Sequence, residues 1–176
     1  MKLLNFPNFE QTFKYDCGAT AMQAVLAYYG IEAIAGVIPA VAKTSRRYGT
    51  SIEGLEKVAK KFGLKTSARR MTLLDLKRYI DKKIPVIVLM QSWTRYKDIN
   101  WKEDWKDSHY VVVIGYDAKN IYFEDPLSIF RTYLPYQEFL DRWHGVNGEK
   151  KKYVHVGVAI YGKKGGCDLN QFVRLG

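Results

Sequence analysis

Gln11-Thr-Phe-Lys-Tyr-Asp-Cys17-Gly-Ala-Thr-Ala-Met-Gln-Ala-Val-Leu-Ala-Tyr-Tyr29-Gly30 is the stretch on which the fold of this chain turns. From Ala19 to Tyr29 nearly every position except Gln23 is apolar, which predicts a helix surrounded on most sides and starting near residue 17. Gly30 is a good stop for it. Cys17 then sits at a helix N-terminus, where free N–H groups and the positive end of the macrodipole favour an anion. Gln11, six residues upstream, is near enough for its amide to donate toward whatever the sulfur attacks. With the Cys17 N–H it would form an oxyanion hole. The segment predicts a nucleophile with its electrostatics in place and no base.

A base stands downstream, in Ser108-His109-Tyr-Val-Val-Val-Ile-Gly-Tyr-Asp117-Ala-Lys-Asn120-Ile-Tyr-Phe-Glu-Asp125-Pro126. Tyr110 to Tyr116 and Ile121 to Phe123 are β-branched and aromatic, and Asp-Ala-Lys-Asn between them has turn composition. A hairpin over 110–124 follows. It places His109, just before the first strand, and Asp125, just after the second, at one end of the ladder and a residue or two off directly opposite. Asp125 can then orient the imidazole and leave its other nitrogen for Cys17. Pro126 cannot donate to a ladder, so the strand stops where the carboxylate is needed.

These pieces resemble the bacteriocin-processing, double-glycine-leader cysteine peptidases, a papain-like family found fused to export transporters and as stand-alone proteins. The likeness rests on Gln11…Asp-Cys17-Gly with Tyr29-Gly30, Gly49-Thr-Ser-Ile-Glu-Gly-Leu, Phe62-Gly-Leu, and Pro85-Val-Ile-Val-Leu-Met-Gln. It continues through His109-Tyr-Val-Val-Val-Ile-Gly-Tyr, Asp125-Pro126 and Glu138-Phe-Leu-Asp-Arg-Trp. The resemblance implies Cys17 as nucleophile, His109 as base and acid, Asp125 as orienter and Gln11 as oxyanion donor. It also implies cleavage after Gly-Gly, with contact to a separate exporter as a further expectation. The Cys-Gly-Ser-Cys-Trp signature of the lysosomal enzymes is absent, and only 92 residues separate His109 from Cys17, so the likeness is to the compact bacterial branch.

Length and composition fit one domain over residues 1–176, able to bury about 70% of its unfolded surface. At 47% hydrophobic and 26% charged, the chain is ordinary globular material. Its apolar stretches are too short to span a bilayer, and Met-Lys-Leu-Leu-Asn-Phe-Pro-Asn is no secretory signal. Those features predict a stand-alone, cytoplasmic protein without transporter or ATPase parts. Cys167 lies in a Gly-rich tail over 163–176, and nothing marks the chain as one that pairs it with Cys17. The net charge of +10 is spread over helix faces and loop ends without a nucleic-acid motif, so no nucleic-acid partner is expected.

Two other histidines have plainer readings. His155 falls in Tyr153-Val-His-Val-Gly-Val-Ala-Ile-Tyr, an alternating strand whose polar positions face outward, and His144 follows a helix end where a cation is favoured. Elsewhere Thr50-Ser-Ile-Glu53 reads as a capping box opening a helix to Phe62, with Glu53/Lys57 and Glu56/Lys60 pairs on its outer face. Thr72-Leu-Leu-Asp75 opens another, with Leu73, Leu76 and Ile80 inward, and Pro85 to Met90 reads as a central strand. Helices come mostly first and strands later. The expected fold is α+β and papain-like, with N-terminal helices packed on a C-terminal antiparallel sheet.

Ser92 to Ser108 carries Trp93, Tyr96, Trp101 and Trp105 among charges. It reads equally as a flap whose aromatics form substrate subsites, or as a surface excursion whose aromatics fold back; Gln91, ending the strand before it, could line the cleft. Glu103, Asp104 and Asp107 lack metal-ligand spacing, so no metal is expected. The combined reading is a cysteine peptidase acting on a peptide or protein substrate without a cofactor. An acyltransferase or deamidase on the same constellation, and a non-catalytic peptide-binding module, remain open beside it.

Overall fold

The computed structural model describes residues 1–33, 36–147, 150–163 and 174. Cys167 and most of the expected tail lie outside the described residues. Helix α1 (Cys17–Tyr28) runs through the middle of the core, with ten buried residues from Cys17 to Tyr28. It ends as Gly30 predicts. Gly30 takes a left-handed φ of 72°, its N–H donates to Ala27 O at 2.9 Å, and Ile31 N–H donates to Leu26 O at 2.9 Å, which is a Schellman closure.

Around α1 lie α2 (Val37–Ala42) and α3 (Ile52–Lys61). The N-cap of α3 is Ser51, whose side chain accepts from Gly54 N–H at 3.0 Å, one residue later than the expected capping box at Thr50. Thr50 is buried, and its hydroxyl is engaged with Thr44 at 2.7 Å. The expected i,i+4 partners are also replaced: Glu53 faces Lys151 at 3.7 Å, and Glu56 accepts from the Thr66 hydroxyl at 3.3 Å. By contrast α4 (Leu73–Asp81) opens on the Thr72/Asp75 capping box in full, burying Leu76 and Ile80.

The main sheet is antiparallel throughout, in the order β2 (Lys65–Arg70), β9 (Val156–Tyr161), β3 (Val86–Gln91), β4 (Ser108–Tyr116), β5 (Asn120–Glu124), β6 (Thr132–Pro135). β3 is buried at every position, as a continuous Val-Ile-Val-Leu-Met run at the centre of a sheet requires. The short β1 (Lys2–Leu3) pairs with Tyr116 and Gly115 of β4. Because β5 occupies the other edge of those residues, β1 prolongs the β3 side. A bulge between Val113 and Gly115 accommodates this crowding. α5 (Tyr136–Arg142) buries Phe139 against Phe123 and Trp143. β7 (His144–Val146) and β8 (Lys152–Val154) form a second, two-stranded sheet. The molecule is thus α+β with helices against a large antiparallel sheet.

Two histidines differ from their expected places. His155 is not within a strand: it joins β8 to β9 with a left-handed φ of 55°, its ring stacked on Trp143, because the chain changes sheets there. His144 starts β7, is buried, and packs at a tilt against Trp105. No helix among the described residues is long and apolar enough to cross a membrane.

Candidate active site

Cys17 is the first residue of α1 and is 9% exposed. What brings α1 so close to β4 is the residue after it. A Cβ on Gly18 would lie 2.7 Å from Thr50 Cβ and 3.0 Å from a Tyr110 ring carbon, so only glycine lets this turn press between α3 and the strand carrying His109. The motif Asp-Cys-Gly is therefore a packing requirement as much as a chemical one.

His109 lies inside β4 as its second residue, where the reading of the sequence put it just ahead of the strand. Val112 pairs with Glu124, so Asp125 falls two rungs along from His109 on the same face. The diagonal is closed by a 2.7 Å hydrogen bond from His109 Nε2 to Asp125 Oδ1. Nδ1 is left for the Cys17 side. Both residues are almost completely buried, at 4% and 2% exposure.

The electrostatics follow from this contact. Burial pulls the His109 pKa down, but hydrogen bonds and charge from Asp125 and Cys17 outweigh it and carry the value up to about 9. Burial pushes Asp125 up, and the His109 hydrogen bond and charge, with the Leu127 N–H and Trp93, bring it below the ordinary carboxylate value. The pair is arranged to exist as imidazolium and carboxylate.

Asp125 uses both oxygens. Oδ1 also accepts from Leu127 N–H at 2.9 Å, and Oδ2 accepts from the Trp93 indole at 2.9 Å and, more distantly, the Thr132 hydroxyl at 3.5 Å. The Trp93 contact has no sequence signal beyond an aromatic in a loop; the loop takes a left-handed φ of 58° at Trp93 to make it.

Gln11 is anchored beside this group through its main chain, its N–H donating to Pro126 O at 2.8 Å. Its side-chain amide is turned to Phe13 O at 2.8 Å, and its Oε1 is buried without a partner among the described residues. The same Phe13 carbonyl accepts from Asp16 N–H at 3.0 Å. The donor is close by and already occupied.

The other expected residues separate. Gln91 has no exposed surface: its amide donates to Ser108 Oγ and His144 O, each at 3.1 Å, and its Oε1 accepts from Asp107 N–H at 2.9 Å. It clamps the base of the 92–107 excursion and presents nothing to a cleft. Trp101 lies beneath the Arg142 guanidinium at 3.7 Å, and Trp105 sits between His144 and the Lys152 ammonium. These two rings fold back onto the domain, covered by cations from α5 and β8. Trp93 is half exposed and touches Asp125. The carboxylate of Asp104 is satisfied by the N–H groups of Lys106 and Asp107.

A cavity of about 350 Å³ opens beside Asp125, lined also by Met90, Trp93, Val111, Phe123, Arg131 and Leu134. A groove of about 270 Å³ flanks the start of α1, lined by Phe13, Asp16, Thr20, Ile38 and Pro39. An imidazolium–carboxylate pair beside a helix-terminal thiol, with one groove at Asp125 and another at the start of α1, can carry out nucleophilic attack on a carbonyl.

Comparison with known proteins agrees with that chemistry. The model of the peptidase C39 family matches residues 5–147. The chain is similar to the peptidase domain of Streptococcus ComA, a bi-functional ABC transporter involved in a quorum-sensing pathway, at 22% identity and a TM-score of 0.67, covering 93% of this chain and 100% of that one. It is similar to a C39-like peptidase from Bacillus anthracis at 17% identity and a TM-score of 0.69, covering 94% and 100%. A double glycine motif protease from an AMS/PCAT transporter, solved with its leader peptide, aligns at 21% identity and a TM-score of 0.64, covering 90% and 92%. At these identities the solved structures establish a shared fold. No curated protein matches the chain.

Proposed function

The chain belongs to the peptidase C39 family and is a cysteine-type peptidase, and on that footing we propose that Cys17, His109 and Asp125 are its catalytic triad and Gln11 its oxyanion donor. The observation that carries this reading is the buried 2.7 Å contact between His109 Nε2 and Asp125 Oδ1, formed on the strand end that faces the head of α1.

The cycle opens with the proton already on His109 Nδ1, as the raised pKa of that ring favours, and the Cys17 sulfur, its proton held there, bonds to the scissile carbonyl carbon. The carbonyl electron pair becomes an oxyanion, held by the Cys17 N–H and by Gln11 Nε2 once that amide leaves Phe13 O. The oxyanion collapses, the C–N bond breaks, and the imidazolium protonates the departing amine. Water, deprotonated by His109, then attacks the thioester, the C–S bond breaks to release the acid, and the sulfur is restored beside the protonated ring. Asp125 keeps the ring in one orientation and stabilises its cation throughout.

The substrate proposed is a peptide cleaved after Gly-Gly, whose missing side chains suit a scissile site this enclosed. The related double glycine motif protease was solved with a leader peptide, which supports that choice. A cytoplasmic site of action, with contact to a separate exporter, fits a chain that resembles exporter peptidase domains. The test is hydrolysis of a fluorogenic peptide bearing Gly-Gly before a coumarin amide. Cys17→Ala and His109→Ala should abolish turnover, and Gln11→Ala should lower kcat by about 10²-fold. Full activity in Cys17→Ala would end the reading.

A further inference from the structure

Glu124 is a buried carboxylate, 2% exposed, that the chemistry above does not use. Its Oε1 accepts from Asn8 Nδ2 at 2.7 Å and from Phe9 N–H at 3.3 Å, while Oε2 is buried with no partner among the described residues. The same Asn8 amide reaches Ser128 O at 3.1 Å, and two residues beyond Phe9 the Gln11 N–H meets Pro126 O at 2.8 Å. Four hydrogen bonds thus lace residues 8–11 to residues 124–128, and two of them end on one oxygen of Glu124.

We propose that Glu124 is a positioning residue for oxyanion stabilisation, acting on Gln11 through the Asn8–Phe9 segment that it ties to the strand end carrying Asp125. The inference rests on the assignment of Gln11 as the oxyanion donor. Without these bonds, the four residues between Phe6 and Gln11 have no strand or helix to fix them. With them, the donor and the orienting carboxylate share one anchor, and their spacing is set independently of α1.

A stability role alone does not explain this carboxylate. Burial pushes its pKa up to about 7, the hydrogen bonds from Phe9 and Asn8 and the charge of Arg131 pull it back, and Asp125 raises it further. Those two residues are the charged groups that face it; its cross-strand neighbour Val112 is apolar. A carboxyl whose folded pKa is raised weakens the fold as pH climbs through that value. The orphaned Oε2 adds a desolvation penalty. A glutamine would keep the acceptor without the charge. What the charge adds is a stronger grip on two N–H donors, and so a stiffer Gln11.

The experiment compares Glu124→Ala, Glu124→Gln and Asn8→Ala, each alone and with Gln11→Ala, on the Gly-Gly coumarin peptide, with iodoacetamide labelling of Cys17 as a second readout. Labelling senses Cys17 and His109 but not the oxyanion donor. Glu124→Ala and Asn8→Ala should lower kcat, by about tenfold and about threefold, with KM and the labelling rate changed less than about twofold. Glu124→Ala should cost nothing further in the Gln11→Ala background. Wild-type kcat should fall between pH 8 and pH 6 around the Glu124 midpoint of about 7, and Glu124→Gln should flatten that fall. Additive losses, labelling that drops in step with kcat, or an unflattened profile would overturn the proposal. Should Glu124→Ala not fold, the exposed Asn8→Ala decides alone: unchanged kcat overturns it. Full kcat in Gln11→Ala would instead remove the assignment beneath it, a distinguishable failure.

Discussion

Trp93 Nε1 lies 2.9 Å from Asp125 Oδ2, so the carboxylate that aligns His109 is itself aligned by a loop residue. A hydrogen bond to a charged group contributes about 1.5–3 kcal/mol, several times a surface contact. Trp93→Phe keeps the ring and removes the donor. It should lower kcat/KM by about tenfold and leave the fold intact, measured on the Gly-Gly coumarin peptide beside a thermal melt. Wild-type kcat/KM in Trp93→Phe would confine that side chain to covering the site.

The His109–Asp125 pair sets a pH window. His109 has its pKa raised from 6.5 to about 9, so its contribution to stability is complete below 6.5 and is lost as pH rises through about 9. Asp125 is lowered from 3.8, so its contribution is present above that value and lost as pH falls beneath it. Urea unfolding should show wild type exceeding His109→Ala by most near pH 6, with the gap narrowing by on the order of 2–3 kcal/mol by pH 10. A gap that widens toward pH 10 would contradict the ion pair.

Catalysis should follow the same proton. The imidazolium must protonate the leaving amine, so kcat/KM should decline as pH rises through about 9. Asp125→Asn removes the charge that raises His109, and the alkaline decline should move to lower pH. An unmoved alkaline limb in Asp125→Asn would show that another group governs it.

Gly18 has no room for a methyl group, with Thr50 Cβ only 2.7 Å from where one would sit. Gly18→Ala must move α1, Thr50 or Tyr110, and overpacking of this kind costs about 1–3 kcal/mol. Because the residue before it is Cys17, the iodoacetamide labelling rate should fall beyond what the change in Tm explains. Equal labelling in a destabilised protein would separate packing from chemistry.

Gln91→Leu tests the clamp under the long excursion. It removes the Gln91 bonds to His144 O and the Ser108 hydroxyl and leaves Asp107 N–H only its 3.3 Å bond to Asp104, which should destabilise the protein by about 1–3 kcal/mol. Limited proteolysis should then cut first within 92–107.

The parts of this molecule legible in the sequence are those written in local periodicity. The apolar run after Cys17, the β-branched and aromatic runs on both sides of the Asp117–Asn120 turn and the Thr72/Asp75 pair each report a structure built from neighbours along the chain. The misplacements arise where a distant partner intervenes. Thr50 reads as a cap, but Thr44 engages its hydroxyl and Ser51 caps instead. His155 reads as a strand residue, but the chain turns there between two sheets. Gln91 reads as a cleft residue because nothing nearby reveals that Asp107, Ser108 and His144 converge on it. The Asn8–Glu124 contact spans 116 positions and leaves no local trace.

The 92–107 segment departs and returns on a single rung, Gln91 opposite Ser108, with Ser92 N–H donating to Asp107 O at 2.9 Å. Whatever lies between those two closures can lengthen, shorten or change composition without shifting the register of β3 on β4 by one residue. Trp93, at the neck, would stay in place. The excursion is therefore decoupled from the scaffold that holds His109: its length is a free parameter of the fold, and the strand pairing beneath it is not.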